Sequence, residues 1–265
     1  MLKIAVILFL TVSLLTANYS PPVAPVFAQT TNKQALDDYF FQLEIYQDSH
    51  SDFVIARDSY KQFGTLASKT EAFNKTKEYL TQVTTLLISY DNAIITILAN
   101  NNGLTNEQKD PYVLKVKDHK TNFGNIQIRI NQIKRLEDFN QIAGDIETEK
   151  QIHDENGEVA VELSKIGYIN SNILSLNQYI GLIDVKISAA KRSGKNVSYF
   201  EIGPQEIRKR LTSSNELVAK SLEIIASTDR TASGKVALAD QNLSEAQKQL
   251  LEATSFFKEI IRNLI

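Results

Sequence analysis

The side chains with the most chemistry in this chain are three histidines, His50, His119 and His153, and a run of carboxylates around the last of them. No two histidines fall within four residues of each other, so the helical two-histidine metal pair is absent from the sequence. With no cysteine to add a soft ligand, a metal would rest on His153-Asp154-Glu155 and the nearby Glu147, Glu149 and Glu158, which follow no ordered ligand spacing. That corner reads as a solvated turn between two helices, with a weak divalent-ion site as its alternative. Glycine clusters that cradle phosphate, a dinucleotide fingerprint and a hydrolase elbow are missing too. Site residues, metals and cofactors are therefore all expected to be none, and the chain is expected not to be an enzyme.

Arg208-Lys209-Arg210 is the one compact basic run, and its ordinary meaning is a solvated helix face. Asn196-Val197-Ser198 matches the glycosylation acceptor and reads as a surface loop. Balanced charge, 29 Lys+Arg against 31 Asp+Glu for a net −2, gives no field that would favour nucleic acid.

The elements that would carry these residues are long helices. With 43% hydrophobic residues the chain can bury a core, while 10 Gly and 5 Pro in 265 residues supply too little punctuation for many strands. Residues 1–28 have the form of a signal peptide: a basic start at Lys3, an apolar run from Ile4 to Leu15, and Val26-Phe27-Ala28 before the expected cleavage. A dozen apolar residues is short of a bilayer span, so a retained anchor is the lesser reading. The absence of cysteine leaves stability to helix packing.

The first mature helix is predicted from Asn32 to Phe63, with Leu36, Leu43 and His50 interleaving with Tyr39, Tyr46, Phe53 and Tyr60 as a heptad stripe. Gly64 breaks it, and Ser68 with Glu71 has capping-box spacing for a second helix starting near Ser68. That helix is the candidate centre of the bundle, because Phe73, Leu80, Leu87 and Ile94 run beside a broad apolar surface. A third helix is expected over residues 121–150, where Ile130, Ile133, Leu136 and Phe139 step by three as in a coiled-coil stammer, with Pro111 kinking or delaying its start. A fourth, 154–192, carries Ile166, Ile173, Ile180 and Ile187 beside Ile169, Leu176 and Ile183, and should end at Gly194. The seven-residue series from Leu211 to Ile260 passes through Gly234 and predicts a last helix of about 60 residues. Its alternating Ala and Leu call for a tight antiparallel partner, with Gly234 as a candidate hinge.

Phe63-Gly64-Thr65-Leu66-Ala67-Ser68 after an aromatic heptad, and Leu250-Leu251-Glu252-Ala253 leading into Phe257-Lys258-Glu259-Ile260-Ile261, resemble signal-bearing helical proteins of small-genome bacteria. The resemblance spans about a fifth of the chain. It implies an exported, coiled-coil-like helical protein and brings no activity with it.

The expected architecture is all-α: an elongated bundle of about five long amphipathic helices with heptad packing. Residues 29–150 would form an N-terminal bundle and 151–265 a long antiparallel arm. The expected function is a non-enzymatic scaffold or interaction protein of the cell envelope or exterior, binding a protein partner or itself. Two other classes stand beside it: a membrane-active helical protein working through Val83 to Ala99, and a small-ligand-binding bundle with a pocket near Tyr39, Tyr46 and Tyr60.

Overall fold

A computed structural model describes residues 26–194, 197–227 and 231–264. Among these there are six α-helices, one short 3-10 helix and no strand. They are α1 (Val26–Phe63), α2 (Leu66–Ala99), α3 (Asn106–Gln132), α4 (Phe139–Arg192), α5 (Ser198–Ala226) and α6 (Ala232–Leu264), with the 3-10 turn at Leu136–Asp138. The expected leader lies outside the described residues except for Val26 to Ala28, which open α1.

Two compact units share the chain, one of residues 26–100 and 109–160, the other of 101–108 and 161–264. The first unit is an up-and-down arrangement of four helices. α1 and α2 run antiparallel, since Asp52 meets Lys75 and Phe53 stacks on Tyr79 at the turn end, while Asn32 meets Asn100 at the other. α3 returns against α2 through Gln127 to Thr85 and Lys77 to the Asn131 carbonyl, and α4 returns against α3 through Arg129 to Asp145 and His119 to Glu149. The core is Leu80, Leu87, Phe123, Ile126, Ile130, Phe139, Ile142 and Ile146. α2 is central, as its broad apolar stripe requires.

In the first helix the seam runs one residue away from the expectation at one point. Ser49 is buried and His50 is exposed, and Ala56, seven residues on, is buried on the same stripe as Ser49. The ladder rings fill the seam: Tyr39 lies on Tyr90, Tyr46 and Phe53 on Tyr79.

Several boundaries correct the sequence reading. α2 starts at Leu66, two residues before Ser68, because Thr65 is the cap and its Oγ1 accepts from the Ser68 N–H. α3 starts at Asn106 rather than near Thr121; Gln108 Oε1 accepts from the Thr105 N–H, the reach-back half of a capping box, and Pro111 sits inside the helix. The steps of three from Ile130 to Phe139 are no stammer but the end of a helix. Arg135 is extended, at φ −127 and ψ 144, and a 3-10 turn follows, so α4 begins at Phe139 instead of Asp154. Gly194 does leave α4 in left-handed geometry, at φ +78.

The second unit packs residues 161–192 of α4 with α5 and α6. The single 60-residue rod does not form. α5 stops at Ser227, which is extended, and α6 is capped by Thr231, whose Oγ1 accepts from Gly234 N, so Gly234 lies inside the first turn of α6 and is no hinge. The close antiparallel partner expected for the Ala-rich stretch is α5, the first half of the expected rod folded back. Ser214 Oγ donates to the Ala246 carbonyl at 3.0 Å and Ser221 Oγ to the Ala239 carbonyl at 3.3 Å, distances that only small residues permit between two helices. Ala239, Ala246 and Ala253 are all fully buried there. Segment 101–104 lies against α4, with Asn101 Nδ2 donating to the Ser164 carbonyl and Asn170 Nδ2 to the Gly103 carbonyl.

Candidate functional site: a buried histidine and carboxylate layer

Heptad counting on the observed helices places three ionisable residues where apolar ones belong. On α2 the buried series is Leu80, Thr84, Leu87, Asp91, Ile94, Leu98; on α3 it is Val116, His119, Phe123, Ile126, Ile130; on α4 it is Phe139, Ile146, His153, Ala160. Asp91, His119 and His153 therefore point inward at one level of the first unit. Asp91 is 1% exposed and His153 3% exposed.

His153 carries the layer. Its Nε2 lies 2.9 Å from Asp91 Oδ1 and its Nδ1 3.3 Å from Asp154 Oδ1, so each ring nitrogen faces a carboxylate. Both can be satisfied only as N–H donors, which is the imidazolium form. Burial works against that charge, but the two carboxylates outweigh it and hold the ring up to about 9. Burial raises Asp91 while the His153 hydrogen bond and charge pull it down. Asp154 is exposed enough to be anchored as well by Lys150, with its carboxyl held low.

His119 binds differently. Asn156 Nδ2 lies 3.0 Å from His119 Nε2, which accepts, and His119 Nδ1 then donates to Glu149 Oε1 at 2.5 Å. Asn122 Nδ2 donates to the same Glu149 oxygen at 3.2 Å. The rings of His119 and His153 meet edge to face at 5.9 Å, and Tyr90 and Phe123 close the sides of His153 at 5.3 and 5.4 Å. Tyr39 of α1 lies on Tyr90, so all four helices reach this layer. Desolvation raises the Tyr90 hydroxyl far above its usual range.

Beside the layer a shallow groove of about 320 Å³ opens between α3 and α4, lined by Asn122, Asn125, Ile126, Arg129, Asp145, Thr148 and Glu149. Its charged groups are already paired, Arg129 with Asp145 and Glu149 with His119. Among the described residues no group of three or more His, Asp and Glu is arranged to hold a metal ion. The arrangement can hold one proton between two carboxylates and fix the register of four helices, the best-attested role of polar groups at core positions.

The structure moves the acidic corner. His153-Asp154-Glu155 is no turn: it lies in the middle of α4, and His153 faces the core while Glu155 faces solvent. His119, which has no second histidine near it in the chain, meets His153 from another helix. His50 stays apart, against Tyr46 and Tyr79. Arg208 and Lys209 are exposed, as a solvated helix face requires, and Arg208 and Arg210 also pair with Asp184 and Glu252. Asn196 lies outside the described residues, and its neighbour Val197 is buried. α2 is long and apolar enough to cross a membrane, and in this fold its stripe lines the core of the first unit. Comparison with protein-family models, with curated proteins and with solved structures finds no match to this chain.

Proposed function

We propose that this is an extracytoplasmic, non-enzymatic helical protein that acts by association, and that the outward face of α4 in the second unit is where a second copy binds. The observation carrying this reading is a set of three large apolar side chains at helical spacing on that face. Leu174, Leu182 and Val185 are 58%, 62% and 64% exposed. Single exposed apolar residues are ordinary, but here Ser171, Leu174, Gln178, Gly181, Leu182, Val185 and Ala189 form an uncharged stripe of five turns opposite the Ile173, Ile180 and Ile187 core face.

The stripe is self-complementary about Gly181. In an antiparallel pair centred there, Leu174 meets Ser188 of the other copy and Val185 meets Asn177, large against smaller, while Gly181 lets the backbones approach. Extracytoplasmic placement is supported by the leader pattern of residues 1–28. Light scattering in line with size exclusion tests the association. The expected particle has twice the mass of one chain, returning to one chain when Leu174→Ser and Val185→Asp are combined. One-chain mass for the unaltered protein at about 100 μM, well above the working range of a specific dimer, would sink the reading.

A further inference from the structure

The turn between α1 and α2 has a composition that the bundle does not use. From Gln62 to Ser68 there is no charge, and residues 61–67 are all exposed. Phe63 is 63% exposed and Leu66 82%, the largest exposure of any large apolar side chain described. They crown the end of a helical hairpin instead of lining a groove.

Several polar groups of the turn bond to one another. Gly64, in left-handed geometry at φ +61, donates its N–H to the Tyr60 carbonyl at 2.9 Å. The Ser68 N–H goes to Thr65 Oγ1 and the Lys69 N–H to the Thr65 carbonyl, while the Ser68 hydroxyl donates to that carbonyl and the Thr70 hydroxyl to the Leu66 carbonyl. A convex tip that turns two large apolar groups outward suits the boundary between water and acyl chains, where end-of-helix backbone groups still meet water and headgroups.

Cations ring the tip. Lys61 and Lys69 bracket the uncharged run, and Lys134 and Arg135 come from the α3–α4 turn, which the Lys69–Glu137 pair brings to the same end. Glu137 and Asp138 are bonded by Lys69 and Arg135, and Asp58 by Arg57 with the Lys61 charge close by, which leaves an excess of cations over carboxylates at this end even with Glu71 counted. Long basic side chains beside exposed apolar ones place their stems with the apolar phase and their charges at phosphate level.

We propose that this tip is a contact for an anionic lipid bilayer, with Phe63 and Leu66 entering the boundary between headgroups and acyl chains and Lys61 and Lys134 meeting lipid phosphates. A protein pocket would need no ring of cations around the two apolar groups, so the bilayer is the occupant the charges favour.

The chain has no tryptophan, so Phe63→Trp introduces a single indole at the tip. The variant, in the chain that begins at Gln29, is mixed with phosphatidylcholine vesicles with and without a quarter of phosphatidylglycerol. Expected are a blue shift of emission and quenching by bromine-labelled lipid on the anionic vesicles, both weakening as salt is raised. Adding Leu66→Ser weakens the vesicle affinity about tenfold, with helix content unchanged by circular dichroism. Leu114→Trp in the otherwise natural chain reports an exposed site on neither proposed surface, and its emission is expected to stay put. No shift at position 63, a shift equal at 114, equal response to neutral vesicles, or indifference to Leu66→Ser would each overturn the proposal.

Discussion

Replacing Gly103 by alanine is a severe test of how the second unit is packed. An added Cβ would lie 1.8 Å from the Gly167 carbonyl oxygen and 2.7 Å from its carbon, both backbone atoms of α4 that cannot swing aside. Ordinary carbon-to-oxygen contact is about 3.3 Å or more, so segment 101–104 must lift by about 1.5 Å. Lifting it strains the Asn101 bond to the Ser164 carbonyl and the Asn170 bond to the Gly103 carbonyl, and begins to expose Leu104. Overpacking costs about 1–3 kcal/mol and each net hydrogen bond about 1 kcal/mol, giving an expected loss of about 3 kcal/mol. Gly167→Ala should behave alike, since its Cβ would fall 2.1 Å from Asn101 Oδ1, an atom held by the Gly103 N–H. Gly144, exposed in the same helix, has nothing within 4 Å, and there alanine should gain about 0.8–1 kcal/mol from helix propensity alone. Urea unfolding followed by circular dichroism reads all three. A gain at Gly167 matching that at Gly144 would mean that propensity decides both and that the close approach is absent.

Further outcomes follow from the buried layer, the Ala seam and the leader. His153 is raised from an unfolded value near 6.5 to about 9, so its stabilising share is complete below about pH 6.5 and is lost as pH rises through about 9. Unfolding free energy should fall by about 3 kcal/mol across that window, and Asp91→Asn should remove most of the fall; a flat profile in the natural chain would show that His153 is not held as an imidazolium. Asp91→Ala, which strands the buried ring beside an empty space, should cost about 3–5 kcal/mol in urea unfolding, whereas a loss below 1 kcal/mol would place Asp91 in water. Ala246→Leu should cost about 1–3 kcal/mol by pushing α5 from α6 and breaking the Ser214 bond; no change would argue against the close pair. Chain exported from a bacterial host should begin near Gln29 by intact mass, and an intact Met1 terminus would count against cleavage after Ala28.

Much of the fold can be read in the sequence because burial and helix period coincide there. The isoleucine series of α4, from Ile166 to Ile187, and the Ala and Leu series of α6 are buried as their spacing requires. Helix ends were harder for a physical reason. A seven-residue count says nothing of a turn whose length happens to preserve it, so the series from Val218 through Ile225 to Ala239 runs across the break at Ser227–Thr231 unmarked. The polar run Ser227-Thr228-Asp229 with Thr231 was the available signal, since such residues cap helices better than they continue them. At Ile130 to Phe139 the steps of three similarly read as one overwound seam, where Arg135 in fact leaves helical geometry.

The buried layer was legible in part. His153 stands seven residues from Ile146 and from Ala160, and Asp91 interrupts the apolar stretch from Val83 to Ala99; either position marks a core site. What spacing could not give is that Asp91, His119 and His153, from three helices, meet at one level. That depends on the register of α2, α3 and α4, which the turns fix and periodicity does not. The exposed face of α4 has the same character. Its uncharged residues are visible in the sequence, but only the fold leaves Leu174, Leu182 and Val185 uncovered.

Association through that face is tested most directly by pulsed dipolar spectroscopy on singly spin-labelled chains, since a cysteine-free protein accepts one label at a chosen site. With one label per chain, any measured distance is between copies. An antiparallel pair centred on Gly181 predicts labels at Lys186 and at Lys191 separated along the helix axis by about 15 Å and about 30 Å, about 3 Å more for each residue away from Gly181. The absence of dipolar coupling, or the same distance from both sites, would contradict the account.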